Sequence, residues 1–129
     1  MEDSPLILVV EDDYFITEMV RDALTDGGFV SEMMASGEEA VRVLQDKHHE
    51  YRALVTDIHL EGELLGWEVA VRARDLNPNI PIVYMTGAGA DEWPSRGVPK
   101  SVLLQKPFAP AQLVTAVSQL LNQLPPAQE

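Results

Sequence analysis

Four short apolar runs, each followed by residues suited to phosphate chemistry, constrain the fold of this chain more than any other feature. They are residues 6–10 before Glu11, Asp12 and Asp13, 53–56 before Asp57, 80–85 before Thr86, and 102–105 before Lys106. Runs of this length are typical of buried strands in a parallel sheet. Because ligands bind at the carboxyl ends of such strands, these carboxylates, the hydroxyl and the amine are predicted to meet at one edge. Such a set can hold a divalent cation and handle a phosphoryl group.

Length and composition exclude several classes of protein. A chain of 129 residues with 46% hydrophobic residues predicts one globular domain over residues 1–129. The acidic N-terminus does not resemble a targeting peptide, and no apolar stretch is long enough to span a membrane, so a cytoplasmic location without a membrane partner is the default prediction. The absence of cysteine excludes disulfides and thiolate metal sites. A formal net charge of −12 argues against nucleic acid as a partner.

Strand and helix patterns alternate along the chain, which predicts five βα units and a doubly wound parallel sheet. Apolar residues at helical spacing follow the first strand over residues 13–25, and Ser36 with Glu39 has the pattern of a capping box. A third helix is predicted to end before Pro78, and Pro110 suits the first turn of the last helix.

The stretch 88–100 departs from this regular alternation. Pro94, Gly97 and Pro99 leave room for little more than one helical turn, near residues 91–93. The sequence therefore predicts a reduced fourth helix.

Four motifs, in this order, resemble the receiver domain of two-component response regulators. The motifs are VVEDD at 9–13, VTD at 55–57, MTG at 85–87 and KPF at 106–108. The resemblance covers nearly the whole chain and implies a flavodoxin-like fold with strand order 2-1-3-4-5. It also implies a phosphorylation-dependent signalling switch, which receives a phosphoryl group from a sensor histidine kinase or a histidine phosphotransfer protein. Such a switch signals by binding a downstream partner or by phosphorelay.

The resemblance assigns roles to the residues at the strand ends. Asp57 is the predicted phosphoacceptor, since a carboxylate can attack phosphorus and form an acyl phosphate. Asp12 and Asp13 are the predicted Mg²⁺ ligands, the second direct and the first through water, together with Asp57 and the backbone carbonyl of His59. Either carboxylate of the Asp12–Asp13 pair can instead, or in addition, cap the first helix.

Lys106 and Thr86 complete the predicted site. Lys106 is expected to pair with Asp57 at rest and with the phosphoryl oxygens afterwards. Thr86 is expected to act as the switch hydroxyl that bonds the phosphoryl group. In most receivers the peptide bond corresponding to Lys106–Pro107 is cis, so the resemblance implies a cis-proline at Pro107.

The sequence departs from ordinary receivers where they carry an aromatic switch residue, three positions before the lysine. That position is Leu103, so activation is predicted to proceed without rotation of a ring, through Thr86 and residues 87–90. The stretch 84–88 partially resembles an alphaproteobacterial subclass whose motif reads Phe-Ala-Thr-Gly-aromatic, with Ala88 in place of the aromatic. Together with the reduced fourth helix, these departures put in doubt the usual dimer face of the fourth helix, fifth strand and fifth helix.

Other functions remain as alternatives. After Leu124 only five residues follow, so the expectation is a stand-alone receiver or a fragment of a longer protein. A phosphatase of the haloacid-dehalogenase type also uses a strand-end aspartate and Mg²⁺, but it needs a second aspartate where this chain has His59. A receiver-like interaction module that is never phosphorylated is the remaining alternative. We predict a signalling protein rather than an enzyme.

Overall fold

The computed structural model of the protein describes residues 4–88 and 90–124, in which strands and helices alternate as predicted. The elements are β1 (Leu6–Val10), α1 (Tyr14–Asp26), β2 (Val30–Met34), α2 (Gly37–Lys47), β3 (Ala53–Asp57), α3 (Gly66–Leu76), β4 (Ile82–Thr86), α4 (Trp93–Arg96), β5 (Ser101–Gln105) and α5 (Pro110–Asn122). Single 3₁₀ turns cover His48–Glu50 and Ala90–Glu92.

The five strands form one parallel sheet in the order β2-β1-β3-β4-β5, which confirms the predicted flavodoxin-like topology. The register places Val10 beside Thr56, and Asp57 beside Met85. Thr86 in turn lies beside Gln105. The carboxyl ends of β1, β3, β4 and β5 therefore meet at one edge.

Both faces of the sheet are covered, which explains why its central strands are continuous apolar runs. Since side chains alternate along a strand, odd and even positions of β1 enter different cores. Ile7 and Val9 pack with buried residues of α1 and α5. Leu8 and Val10 pack on the other face with buried residues of α2 and α3.

The helix ends use the residues that the sequence singles out. Asp13 caps α1, with Oδ1 accepting a hydrogen bond from the Ile16 N–H at 3.0 Å. Ser36 caps α2, with Oγ accepting from the Glu39 N–H at 3.2 Å. Pro110 is the first residue of α5.

The reduced fourth helix is confirmed, since α4 has four residues. It begins at Trp93, Pro94 lies in its first turn, and Gly97 ends it. Within residues 4–88 and 90–124, the helices are too short or too polar for any of them to cross a membrane.

Candidate functional site

The site lies at the carboxyl edge of the sheet and is built around Glu11, Asp57 and Lys106. Each lies two positions after a residue that packs on the side of α1 and α5, namely Val9, Val55 and Leu104. Since side chains alternate along a strand, the three residues are on that same side of the sheet. The register pairs Val10 with Thr56, so the next residues of the two strands, Glu11 and Asp57, come level with each other. The parallel ladder thus brings two carboxylates side by side.

Lys106 bridges these two carboxylates. Its Nζ lies 3.0 Å from Glu11 Oε1 and 3.3 Å from Asp57 Oδ1. Glu11 and Asp57 are only 4% and 6% exposed, so both acids are nearly removed from water. The predicted contact between Lys106 and Asp57 is present, and Glu11 is a second partner of the same amine.

Burial and pairing act in opposite directions on the pKa values of Glu11 and Lys106. Burial raises the pKa of Glu11, and the nearby charge of Asp57 adds to the rise. Burial alone would lower the pKa of Lys106, but the hydrogen bond to Glu11 and the charge of Asp57 outweigh it and raise that pKa. The amine therefore remains charged across the physiological range and compensates part of the acidic cluster.

A third carboxylate joins this pair on the open side of the site. Oxygens of Glu11, Asp12 and Asp57 all lie within 4.8 Å of one another. Three carboxylates face a single amine, so the group retains an excess of negative charge that a cation would offset. Oxygen ligands of this kind suit Mg²⁺, and Asp12 is exposed, which leaves room for metal-bound water.

The structure does not bring the side chain of Asp13 into this group. Its carboxylate caps α1, and its backbone N–H donates to Glu11 Oε2 at 3.0 Å. Glu11 takes the place beside Asp57 that the sequence reasoning assigned to the Asp12–Asp13 pair. The signal that could have located Glu11 is the register, because Glu11 and Asp57 are the first residues after the paired apolar runs.

Thr86 lies on the neighbouring strand and is 1% exposed. Its Oγ1 accepts a hydrogen bond from the Ala88 N–H at 3.0 Å, and its carbonyl accepts from the Lys106 N–H at 2.7 Å. The Lys106–Pro107 peptide bond is cis, in agreement with the resemblance to receivers. Thr86 is therefore linked both to the start of the 87–100 stretch and to the residue that bridges the acids.

His59 lies in the loop that follows Asp57 and is exposed. Its neighbour Ile58 is fixed on both sides, donating its N–H to Met85 O at 3.1 Å and accepting the Gly66 N–H at 2.8 Å. A Cβ on Gly66 would lie 2.2 Å from Asp57 O, so this close approach requires glycine. The backbone around Asp57 is thus held tightly.

Leu103 lies beside Tyr84 in the β4–β5 pairing, where ordinary receivers carry their aromatic switch. In this chain the aromatic member of that pair is Tyr84, on β4. Tyr84 is fully buried, and its ring packs on Trp67 with centroids 4.9 Å apart. Its hydroxyl accepts a hydrogen bond from the Val98 N–H at 3.0 Å, which ties the end of the irregular stretch to the core.

An apolar groove adjoins the acidic cluster on the side of α1. It has a volume of about 360 Å³ and is lined by Ile16, Met19, Lys106, Pro107 and Phe108. At the start of α1, Tyr14 and Phe15 are 69% and 80% exposed. Large exposed apolar side chains beside a reactive group are typical of a surface that binds another protein.

Comparisons with known proteins agree with this geometry. The family model described as "Response regulator receiver domain" matches residues 7–118. The transcriptional regulatory protein CusR of Escherichia coli K12 is 30% identical over 118 residues, which are 90% of this chain and 51% of CusR. The chain therefore spans about half the length of the curated relatives it matches.

Solved structures of similar fold also belong to this class. A response regulator receiver protein from Sinorhizobium medicae WSM419 superposes with a TM-score of 0.91 at 43% identity, over 94% of this chain and 97% of that one. The chemotaxis protein CheY4 of Vibrio cholerae superposes with a TM-score of 0.80 at 25% identity, over 92% and 99% of the two chains. This chain therefore belongs to the response regulator receiver domains, the phosphorylatable switches of two-component signalling.

Proposed function

We propose that Asp57 accepts the phosphoryl group and that Glu11, Asp12, Asp57 and the backbone carbonyl of His59 hold Mg²⁺ beside it. The observation that carries this proposal is a buried aspartate bridged by one lysine to a second buried acid, with a third carboxylate on the open side. This assignment differs from the sequence prediction by including Glu11. Asp13 as a metal ligand stays a prediction, and its use as a helix cap weighs against it.

The proposed reaction transfers a phosphoryl group between two nucleophiles. An oxygen of Asp57 attacks phosphorus, the bond from phosphorus to the donor atom breaks, and the electron pair of that bond leaves with the donor. Bound Mg²⁺ supplies positive charge to the phosphoryl oxygens. Lys106 already faces Asp57 and donates to the same oxygens, which stabilises the charge that builds up during transfer.

We infer that the donor is a sensor histidine kinase or a histidine phosphotransfer protein. The apolar groove next to Lys106 and the exposed rings of Tyr14 and Phe15 offer it a contact surface close to Asp57. Output then follows by binding of a downstream protein or by phosphorelay. A cytoplasmic location and the single-domain organisation stay predictions.

Incubation with a small acyl phosphate and Mg²⁺, followed by intact mass measurement, tests the proposal. We expect one added phosphoryl group per chain, which a metal chelator prevents. Continuous turnover of the donor without a stable adduct would instead support a phosphatase. An unchanged mass with an intact fold would support an interaction module that is not phosphorylated. The proposal that this chain is a switch rather than an enzyme depends on the first result.

A further inference from the structure

The loop between β3 and α3, residues 58–65, forms one wall of the proposed metal site. It carries the carbonyl of His59, and the Glu61 N–H donates to Asp12 Oδ2 at 3.0 Å. The hydrogen bond from the Gly66 N–H to Ile58 O closes its base at 2.8 Å. The position of the loop therefore affects both a proposed ligand and the orientation of Asp12.

Glu38, on the first turn of α2, anchors the second half of this loop. Its Oε2 accepts two hydrogen bonds, from the Glu63 N–H at 2.8 Å and the Leu64 N–H at 3.2 Å. These partners lie about two dozen positions further along the chain, so the contact joins two separate elements. Two N–H groups on one carboxylate oxygen make a charge-assisted anchor, which is stronger than a neutral pair.

Two glycines allow the loop and α2 to come this close. Gly62 has φ +98, and a Cβ there would lie 2.7 Å from Glu38 Oε1. A Cβ on Gly37 would lie 2.9 Å from Leu64 O. A side chain at Gly37 would therefore push the loop backbone away from the helix, and one at Gly62 would displace the Glu38 carboxylate in a backbone conformation that favours glycine.

The contact with the loop favours the ionised form of Glu38. The hydrogen bond from the Glu63 N–H, with smaller contributions from other backbone N–H groups, lowers the pKa of Glu38. Glu38 lies outside the group formed by Glu11, Asp12 and Asp57. Its carboxylate therefore binds the loop and is not one of the proposed metal ligands.

We propose that Glu38 is a positioning residue for the metal site, holding the 58–65 loop so that the His59 carbonyl and Asp12 face the cation. This inference rests on the proposed function. Because both loop N–H groups donate to a single oxygen, a glutamine can keep the contact while losing the charge. The effect of geometry can therefore be separated from the effect of charge.

The test compares Glu38→Ala, Glu38→Gln and Glu39→Ala. Glu39 is an exposed acid on the same turn, so its replacement removes the same charge without touching the loop contact. Mg²⁺ affinity is measured by titration calorimetry, and phosphorylation rate with a small acyl phosphate. We expect Glu38→Ala to weaken Mg²⁺ binding by about tenfold, as for other residues that orient metal ligands. Glu38→Gln and Glu39→Ala are expected to stay close to wild type.

Several results would overturn the inference. Equal losses in Glu38→Ala and Glu39→Ala would show a charge effect alone, and wild-type Mg²⁺ affinity in Glu38→Ala would show no positioning. If Glu38→Ala does not fold, Gly37→Ala brings a Cβ to 2.9 Å from Leu64 O, which displaces the loop backbone while Glu38 is unchanged, and it is expected to weaken Mg²⁺ binding similarly. Unchanged binding in that variant would also contradict the inference. Absence of Mg²⁺ binding and phosphorylation in the wild type would instead refute the proposed function.

Discussion

Two stretches of chain leave neighbouring strands at the same edge of the sheet, and they are anchored in opposite ways. The 58–65 loop after β3 is held close to the acidic cluster, by Asp12 and Glu38. The 87–100 stretch after β4 is held in its distant half. There Trp93 Nε1 donates to Ser101 Oγ at 3.0 Å, and the Val98 N–H donates to the Tyr84 hydroxyl.

The near end of the 87–100 stretch comprises residues 87–90, of which the structure describes 87, 88 and 90. These described residues make a single hydrogen bond to a side chain. It is the hydrogen bond from the Ala88 N–H to Thr86 Oγ1. Gly87 and Ala88 are both exposed. A loop anchored next to the site is suited to keep a metal ligand in place, whereas a stretch anchored far from the site is suited to move with the Thr86 hydroxyl.

This difference suggests how a signal leaves the site without a rotating ring at Leu103. If Thr86 donates its hydroxyl to a phosphoryl oxygen as predicted, we expect the Ala88 backbone bonded to it to shift too. The remote contacts of Trp93 and Val98 are then expected to transmit or resist that shift. We expect phosphorylation to act here as a population shift, driven by new bonds to the phosphoryl group.

The largest expected effect comes from removing the origin of the signal. Asp57→Asn is expected to abolish phosphorylation and, with it, the response of the 87–100 stretch. The substitution is nearly isosteric and removes one charge from a repulsive cluster, so stability is expected to stay or rise. Intact mass and thermal melting measure the two effects, with Asp75→Asn on the exposed side of α3 as control. Phosphate uptake at the wild-type rate would refute the assignment of Asp57.

The paired variants Asp12→Ala and Asp13→Ala test which of the two carboxylates binds Mg²⁺ beside the anchored 58–65 loop. At a Mg²⁺ concentration of about 100 times Kd, binding stabilises a protein by roughly 2.7 kcal/mol, and Asp12→Ala is expected to lose most of this. Asp13→Ala is expected to keep the Mg²⁺-induced rise in Tm. Its loss of the α1 cap lowers stability by about 1 kcal/mol with or without metal. The opposite pattern would return the ligand role to Asp13.

Thr86→Ala tests whether the 87–100 stretch responds to phosphorylation through the Thr86 hydroxyl. The variant is expected to accept a phosphoryl group, because Asp57 and Lys106 are unchanged, but to lose the coupling to the Ala88 backbone. Backbone amide shifts with and without beryllofluoride measure this, and the large changes expected in the wild type from 87 to 97 are expected to shrink. Wild-type shifts confined to α2, with residues 87–97 unaffected, would show that the proposed route is wrong.

The smallest effect is expected from the ion pair between Arg96, in the distant half of the 87–100 stretch, and Glu68 on α3. Arg96 contacts Glu68 at 3.2 Å and lies 5.6 Å from the Trp67 ring, and both charged side chains are about two-fifths exposed. Arg96→Ala is therefore expected to cost about 0.5–1 kcal/mol of stability. It is also expected to raise the mobility of residues 93–97 in amide relaxation. Arg72→Ala on the exposed side of α3 is the control, and equal changes in both variants would show that Arg96 anchors nothing.

The sequence alone determined the alternation of elements and the reduced fourth helix, because these depend on local periodicity and on the backbone limits of Pro94, Gly97 and Pro99. It also placed Asp57, Thr86 and Lys106 at strand ends, since each follows a short apolar run of strand length. The strand order came from the family resemblance, and the structure confirmed it.

Only the tertiary structure decided which acids share the site. Glu11, Asp12 and Asp13 are chemically similar neighbours, and a shift of one residue along a strand moves a side chain to the other face. The register of β1 against β3 places Glu11 beside Asp57, while the start of α1 takes up the carboxylate of Asp13. The contact of Glu38 with the 58–65 loop likewise depends on how α2 packs, and no local pattern encodes a bond between residues so far apart in the chain.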